Sequence, residues 1–380
     1  MPKVFFVSCF EPSGDAIGAY LVRSLRAEFG TETRIVGIAG PQMREAGIEE
    51  WGKIEDLNVM GIIPVLKAAP KLLKLIKNLA ARVDCLEPDC IITIDAPDFH
   101  VRLMEKMQKH QCPRAQLVSP SVWAWRAKRV LRFAKVFDVM YCIFPFEAKF
   151  YEATNLRTLY VGHPSVKMAL DDEICEEVFS KRFPNEHNIL LLPGSRPSEL
   201  NRLRDDFLII KQGLDRDRKV TWLIPTLEQH RLALEEWFAD SNNVEIITDK
   251  AWRFAAMRYG NAALCCMGTV ELELSLRNCP HIALYRFKPL DNLLRRLVRF
   301  SIDHGSLSNI LMNQEVIPEY LQDAIDHDQI IVQMSQLLDE NSTLYQQQRE
   351  SMQKIQNLLH SPKGDFATSI SADVHKLLKL

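Results

Sequence analysis

Long apolar runs are missing from this chain. No stretch approaches the roughly 18 apolar residues that span a bilayer, so no transmembrane helix is expected. A secretory leader is also not expected, because Met1-Pro2-Lys3 leads into a strand-like run without a basic segment or a cleavage site. The 9 cysteines are scattered, with neither a Cys-x-x-Cys pair nor a His–Cys spacing of the zinc type. That excludes a recognisable zinc site or disulfide framework and points to reduced cytosolic thiols, mostly serving as small core residues. Charge of one sign is missing too: 47 Lys and Arg stand against 49 Asp and Glu, net -2, which leaves no basic face for nucleic acid. Short-period repeats and low-complexity tracts are absent, and the sequon Asn341-Ser342-Thr343 carries no meaning in such a chain.

What is present is a sequence phrase that occurs twice. Val4–Ser8 is an apolar run that breaks into Glu11-Pro12-Ser13-Gly14-Asp15 and then a helical pattern to Phe29. Asn188–Leu192 does the same, breaking into Pro193-Gly194-Ser195-Arg196 before a second helical pattern. A buried parallel strand, a small-residue turn and a helix N-terminus together form an anion cradle of free N–H groups. With 380 residues available for two cores, the repetition predicts an α/β protein of two Rossmann-like domains, their parallel sheets facing across a cleft. Strands are expected at Val4–Ser8, Arg34–Ile38, Cys90–Ile94, Ala115–Val118, Val139–Ile143 and Leu159–Val161. In the second half they fall at Ile189–Leu192, Val220–Ile224, Val244–Ile247, Ala262–Cys266 and His281–Leu284. These place one domain at 1–165 and the other at 186–344. The polar stretch Asp171–Asn188 reads as a short helix and linker, and a helical tail at 345–380 is expected to pack back on the first domain.

Candidate site residues cluster at the strand ends. Glu11, Ser13, Gly14 and Asp15 form the first cradle. In the second, Gly194 permits close backbone approach, Ser195 donates a hydroxyl and Arg196 can clamp phosphate oxygens. Gly268 and Thr269 follow another strand in the same way. Glu273 is a candidate for ribose hydroxyls, or simply an acid favoured by a helix dipole. Asp95 ends an apolar strand on the ligand-binding edge of the sheet and is the candidate general base, whereas Asp98 reads better as a helix N-cap. Ser119–Arg129, with Ser121, Trp123, Trp125 and Arg126, suits a sugar-stacking and phosphate-binding wall; core packing of one tryptophan fits equally. His163, between Gly162 and Pro164, either lines the cleft or caps the hinge. Asp215-Arg216-Asp217 has the D-x-D form of metal-dependent sugar transferases but falls where a polar turn is expected, and is rejected as a metal site. Leu57–Val83 is amphipathic, with Lys67, Lys71, Lys74 and Lys77 on one stripe. It is either a core helix with a solvated lysine face or a surface that dips into a bilayer.

Several segments in order resemble one family. Ile94-Asp95-Ala96-Pro97-Asp98-Phe99, Val118–Arg126, Phe144-Pro145-Phe146-Glu147, Leu191–Arg196 and Ser308-Asn309-Ile310-Leu311, with Gly40-Pro41-x-Met43 and Val59-Met60-Gly61, are similar to the lipid-A-disaccharide synthases. The resemblance runs from about residue 4 to residue 325. It implies a GT-B glycosyltransferase that joins UDP-2,3-diacylglucosamine to 2,3-diacylglucosamine 1-phosphate, with no metal and no cofactor. It implies UDP binding in the second domain through Arg196, Glu273 and Asn309, and a role for Asp95. It also implies work on the cytoplasmic face of an inner membrane, through Val59, Met60, Ile62, Ile63, Val65, Leu66, Leu72 and Leu73 with Lys67 and Lys71. A homodimer formed through the tail is a further expectation. The alternative on the same scaffold is a UDP-sugar epimerase, which needs no lipid-facing stretch; a lipid-binding module without catalysis is a third reading. Three positions depart from the family pattern: Phe10 for glycine, Met267 for serine and Ser308 for proline. Each is expected to touch the cleft and to alter donor affinity or acyl preference.

Overall fold

The computed structural model describes residues 2–55, 65–107, 112–123, 127–217, 219–287, 304–362 and 364–379, the side chains of 65–71, 127 and 217 excepted. The chain divides into two compact units, Met1–Pro164 with Leu359–Leu380, and Ser165–Leu358.

The first unit is built on a parallel sheet of seven strands in the order β3-β2-β1-β4-β5-β6-β7. These are β1 (Val4–Ser8), β2 (Arg34–Ala39), β3 (Glu49–Lys53), β4 (Cys90–Ile94), β5 (Arg114–Leu117), β6 (Val139–Cys142) and β7 (Arg157–Tyr160). The central strands are buried on both faces, which is why they read as continuous apolar runs. β3 does not read as a strand because Glu-Glu-Trp-Gly-Lys is an edge, where charge protects against further pairing. Strand order reverses between β1 and β4, so the connections that leave these two neighbours run in opposite directions and open a crevice at their carboxyl ends.

The second unit repeats the plan with six parallel strands in the order β10-β9-β8-β11-β12-β13. They are β8 (Asn188–Leu192), β9 (Thr221–Pro225), β10 (Val244–Ile247), β11 (Ala262–Cys266), β12 (His281–Tyr285) and β13 (Glu319–Leu321). Here the reversal lies between β8 and β11. The helix Pro197–Asp217 covers one face through Leu200, Leu203, Phe207, Ile210 and Leu214, whose spacing of three and four residues makes one stripe against the buried Trp222. Asp215 is therefore in the last turn of that helix rather than in a loop, and it accepts from Trp222 Nε1 at 2.9 Å and Lys211 Nζ at 2.6 Å.

Two expected boundaries move. The acidic stretch before β8 is not a free linker: its helix Glu176–Arg182 buries Phe179, and Phe183 follows one turn on, both in the core of the second unit. The tail divides later than expected. Helix Thr343–Leu359 stays with the second unit, where Gln348 bonds the N–H and C=O of His281 at 2.9 and 3.0 Å. Only Leu359–Leu380 join the first unit. There helix Phe366–Leu377 lies on helix Pro12–Phe29, with Ser371 Oγ 2.9 Å from Ser24 Oγ and His375 Nδ1 2.7 Å from Glu28. All nine cysteines are free thiols, and Cys9, Cys90, Cys142, Cys265, Cys266 and Cys279 are buried.

The tail is anchored by Asp373, whose buried carboxylate accepts from Tyr141 Oη at 2.9 Å and from Arg157 Nη1 at 3.0 Å. Removing it strands a buried phenol hydroxyl. Asp373→Ala is expected to cost about 2–3 kcal/mol, seen as a lower urea midpoint for the transition that reports on the first unit.

Candidate active site

In the first unit, Asp95 leaves β4 at the order reversal, and its carboxylate is taken up by the turn after β1. Asp95 is 8% exposed, and Phe10 N–H donates to its Oδ1 at 3.1 Å. Oδ2 is buried and has no hydrogen-bond partner among the described residues. A β-carbon on Gly14 would lie 1.8 Å from that oxygen, so the carboxylate occupies the space that glycine leaves. Burial, then the negative charge of Glu11, push the Asp95 carboxyl up to about 8, against the N–H groups of Phe10, Glu11 and Gly14 that favour the ionised form.

The rest of the first cradle behaves differently from expectation. Asp15 does not face a ligand. It is 1% exposed, and its carboxylate accepts from the N–H groups of Gly40 (2.9 Å), Gln42 (2.9 Å) and Met43 (3.0 Å), capping the short helix Pro41–Glu45. Glu11 and Ser13 are exposed at the start of helix Pro12–Phe29. Asp98 is not an N-cap, since Ala96 holds that position; it pairs with Arg129 at 2.7 Å. Ser121 is exposed, while Trp125 and Arg126 lie outside the described residues. Trp123 is half-buried and edge-on to Phe146 at 5.6 Å. His163 packs its ring on Phe144 at 5.1 Å, and burial pulls its pKa down to about 4, which makes it a neutral aromatic neighbour rather than a cation for phosphate. The departure at Phe10 is absorbed locally, its ring lying 4.7 Å from Phe99.

In the second unit, the turn after β8 meets the end of β11: a β-carbon on Gly194 would lie 3.5 Å from Cβ of Cys266. Gly194 has φ 114°, open to glycine and strained for other residues. The cradle expected at Gly194–Arg196 is already filled. Glu199 Oε2 accepts from the N–H groups of Ser195 and Arg196, both at 3.2 Å, and Oε1 pairs with Arg196 Nη1 at 3.2 Å. This is a helix capping itself with the acid at its third position, a pattern legible in Ser-Arg-Pro-Ser-Glu. His230, also unread from sequence, touches the Ser195 carbonyl at 2.9 Å. The Arg196 side chain remains 75% exposed. By contrast, helix Thr269–Leu276 begins at Gly268 without a side-chain cap, and Gly268 and Thr269 are exposed. Its first-turn N–H groups are donors left open at the strand-order reversal of this unit.

Two acids of that helix separate as their spacing requires. Glu271 is fully buried and accepts from Ser308 N–H at 3.0 Å; Ser308 Oγ sits 2.9 Å from Ser275 Oγ, so the departure at Ser308 supplies two contacts that a proline could not. Glu273 is half-buried, its pKa raised by burial against the charges of Arg277 and Arg253. Asn309 corrects the expectation of a nucleotide contact. It is 0% exposed, its Oδ1 accepts from Val316 and Ile317 N–H at 2.7 and 2.9 Å, and its Nδ2 donates to the Ile317 carbonyl at 2.8 Å and to Glu319 at 3.1 Å. Asn309 holds the loop before β13. Met267 is half-buried, close to Gly305.

Of the expected membrane positions, Val59, Met60, Ile62 and Ile63 lie outside the described residues. Val65, Leu66, Lys67 and Lys71 fall in helix Val65–Leu86, their side chains undescribed. Further along, Ile76, Leu79, Ala80 and Val83 are buried, Leu72 is half-buried, Leu73 is 48% exposed, and Lys74 and Lys77 are exposed. Among the described residues no helix is long and apolar enough to cross a membrane.

Two Rossmann-like units with parallel sheets, each opening at its order reversal, define the GT-B class of nucleotide-sugar enzymes. Solved structures of this shape include S. aureus MnaA with UDP (TM-score 0.66, 15% identity, 100% of this chain and 98% of that one). MurG of Acinetobacter baumannii is another (TM-score 0.60, 13% identity, 99% and 100%). The sequence narrows the class. A family model described as lipid-A-disaccharide synthetase matches residues 5–373. The lipid-A-disaccharide synthase of Sodalis glossinidius is 36% identical over 339 residues, 87% of each chain, and that of Yersinia pseudotuberculosis is 36% identical over 320 residues, 82% of this chain and 80% of its own. The chain belongs to the lipid-A-disaccharide synthase family and is a glycosyltransferase.

The buried Asp95 carboxyl has a measurable cost. Its folded pKa of about 8 lies above the ordinary value near 4, so the folded state binds the extra proton between these pH values and loses stability as pH rises through them. Asp95→Asn removes that penalty. Its urea midpoint is expected to exceed that of the wild type at pH 8, with the difference vanishing near pH 4.

Proposed function

We propose that the chain transfers 2,3-diacylglucosamine from its UDP donor to the 6-hydroxyl of 2,3-diacylglucosamine 1-phosphate with inversion at the anomeric carbon, releasing UDP. The observation that carries this reading is the Asp95 carboxyl, buried at the strand-order reversal with one oxygen uncommitted. Burial makes its ionised form a stronger base than an ordinary carboxylate. Asp95 takes the proton of the attacking hydroxyl as the new C–O bond forms and the bond to the diphosphate breaks. In the second unit the growing negative charge meets the uncapped N–H groups of Gly268 and Thr269 and the guanidinium of Arg196. Gly194 and Ser195 shape the turn beside them, and Glu273 reaches toward the ribose. On the acceptor side Gly14 and Glu11 border Asp95, and we assign Ser13, Ser121, Trp125 and Arg126 to the acceptor as well.

The epimerase alternative is supported by fold alone: a UDP-GlcNAc 2-epimerase from Neisseria meningitidis shares 14% identity, while the transferases share 34–36%. Helix Val65–Leu86 is the surface we assign to the cytoplasmic face of an inner membrane. Leu73 offers an exposed apolar side chain beside the cations of Lys74 and Lys77, on a helix anchored to the unit by Ile76, Leu79 and Val83.

Two measurements test the reading. Mass spectrometry of the two purified glycolipid substrates with the enzyme and EDTA is expected to show the disaccharide 1-phosphate. Asp95→Asn is expected to retain UDP binding and lose turnover, and full activity in that variant removes the base assignment. For the membrane surface, Lys74→Glu with Lys77→Glu is expected to weaken sedimentation with anionic vesicles about tenfold or more, at about 1 kcal/mol for each basic residue near the surface.

A further inference from the structure

Asp95 and Ala96 both have positive φ, 53° and 33°, a conformation disfavoured for residues with a β-carbon and kept only where the surroundings impose it. The turn sends the Asp95 carbonyl into the protein. There it accepts two side-chain hydrogen bonds, from Gln116 Nε2 at 2.9 Å and from His100 Nδ1 at 3.0 Å. Gln116 comes from β5 and His100 from helix Pro97–Lys106, so the carbonyl is gripped from two sides.

Each grip is itself held. Thr93 Oγ1 donates to Gln116 Oε1 at 2.6 Å, which fixes the orientation of the amide. His100 Nε2 lies 3.2 Å from Ser8 Oγ on β1. Burial pulls the pKa of His100 down to about 4, so the ring is neutral with one N–H. That N–H must sit on Nδ1, because a carbonyl cannot donate, and Nε2 then accepts from the serine hydroxyl. Ser8, Thr93, His100 and Gln116 are all 0% exposed. Satisfying buried polar groups needs only that each finds some partner; here both chains of bonds reach the carbonyl of one strained residue, with Gln116 Nε2 also donating to the Leu117 and Val118 carbonyls at 2.9 and 3.3 Å.

We infer that Gln116 and His100 are positioning residues that lock the backbone of Asp95 in its left-handed turn and so press its carboxylate against Gly14. This rests on the reading of Asp95 as the base. When the clamp is loosened, the backbone relaxes toward extended geometry and the carboxylate moves out toward water. The titratable groups that face it are Glu11 and Asp15 from helix Pro12–Phe29 and its start, Cys9 from the turn after β1, and the neutral His100; none is altered by changing Gln116.

The test is the pH profile of Gln116→Leu in the full chain, assayed with both glycolipid substrates. Turnover is expected to fall about 10²-fold, as for a misplaced reacting group, with the donor KM unchanged. The acid limb of the kcat profile is expected to move about one unit lower as desolvation is relieved. Thr93→Val, which only frees the amide to rotate, is expected to move both quantities the same way by less, and it decides the matter where Gln116→Leu fails to fold. A lower kcat with the acid limb unmoved overturns the clamp, as does wild-type turnover in a folded Gln116→Leu. Asp95→Asn run alongside separates the two ideas. If it is inactive while the acid limb of Gln116→Leu stays put, only the clamp falls; if it is active, the base assignment falls and takes the clamp with it.

Discussion

The contact between the Asp95 carboxylate and the α-carbon of Gly14 is what the first unit is organised around. No side chain fits at position 14 without displacing that carboxylate. Gly14, in the helix that follows β1, and Asp95, directly after β4, meet because β1 and β4 are neighbours where the strand order reverses. A parallel sheet has one such place, where the two connections part and leave strand ends uncovered. Burial there supplies a basic carboxylate, and the same burial costs stability. Strain and desolvation coincide on one residue, the one we propose as the base.

A second theme is the use of carboxylates to fill the protein's own anion cradles. Asp15 caps Gly40, Gln42 and Met43; Glu199 caps Ser195 and Arg196; Glu147 accepts from Ile143 and Phe144; Glu319 accepts from Gly305 and Ser306. Each settles backbone donors that would otherwise face the interior or a helix end unpaired. Helix Thr269–Leu276 also starts without a side-chain cap, and its start adjoins the strand pair where the second sheet reverses. Donors left open at that place are available to a phosphate.

Of the thirteen strands among the described residues eleven are legible in sequence, the central ones because strands buried on both faces are written as unbroken apolar runs. β3 and β13 are not, the one being a charged edge and the other only three residues long. The buried position of Asp95 is legible as well, since it directly follows an unbroken apolar run. Asp15 and Asn309 mislead for the same reason that they attract attention: a polar residue in a glycine-rich turn can serve a ligand or the turn, and only coordinates show that its bonds are already spent. Gln116 and His100 pass unnoticed because one sits inside a strand and the other inside a helix, with nothing in either pattern to mark a shared partner.

The sequence by itself determined the alternation of strand and helix, the two-unit plan and the residue types at the strand ends, because these depend on local periodicity and on which side chains survive burial. Tertiary structure alone decided which polar groups are free. Whether Asp15 faces inward, and whether two distant side chains grip one carbonyl, depend on strand order and on distances between segments far apart in the chain. No local pattern encodes those distances.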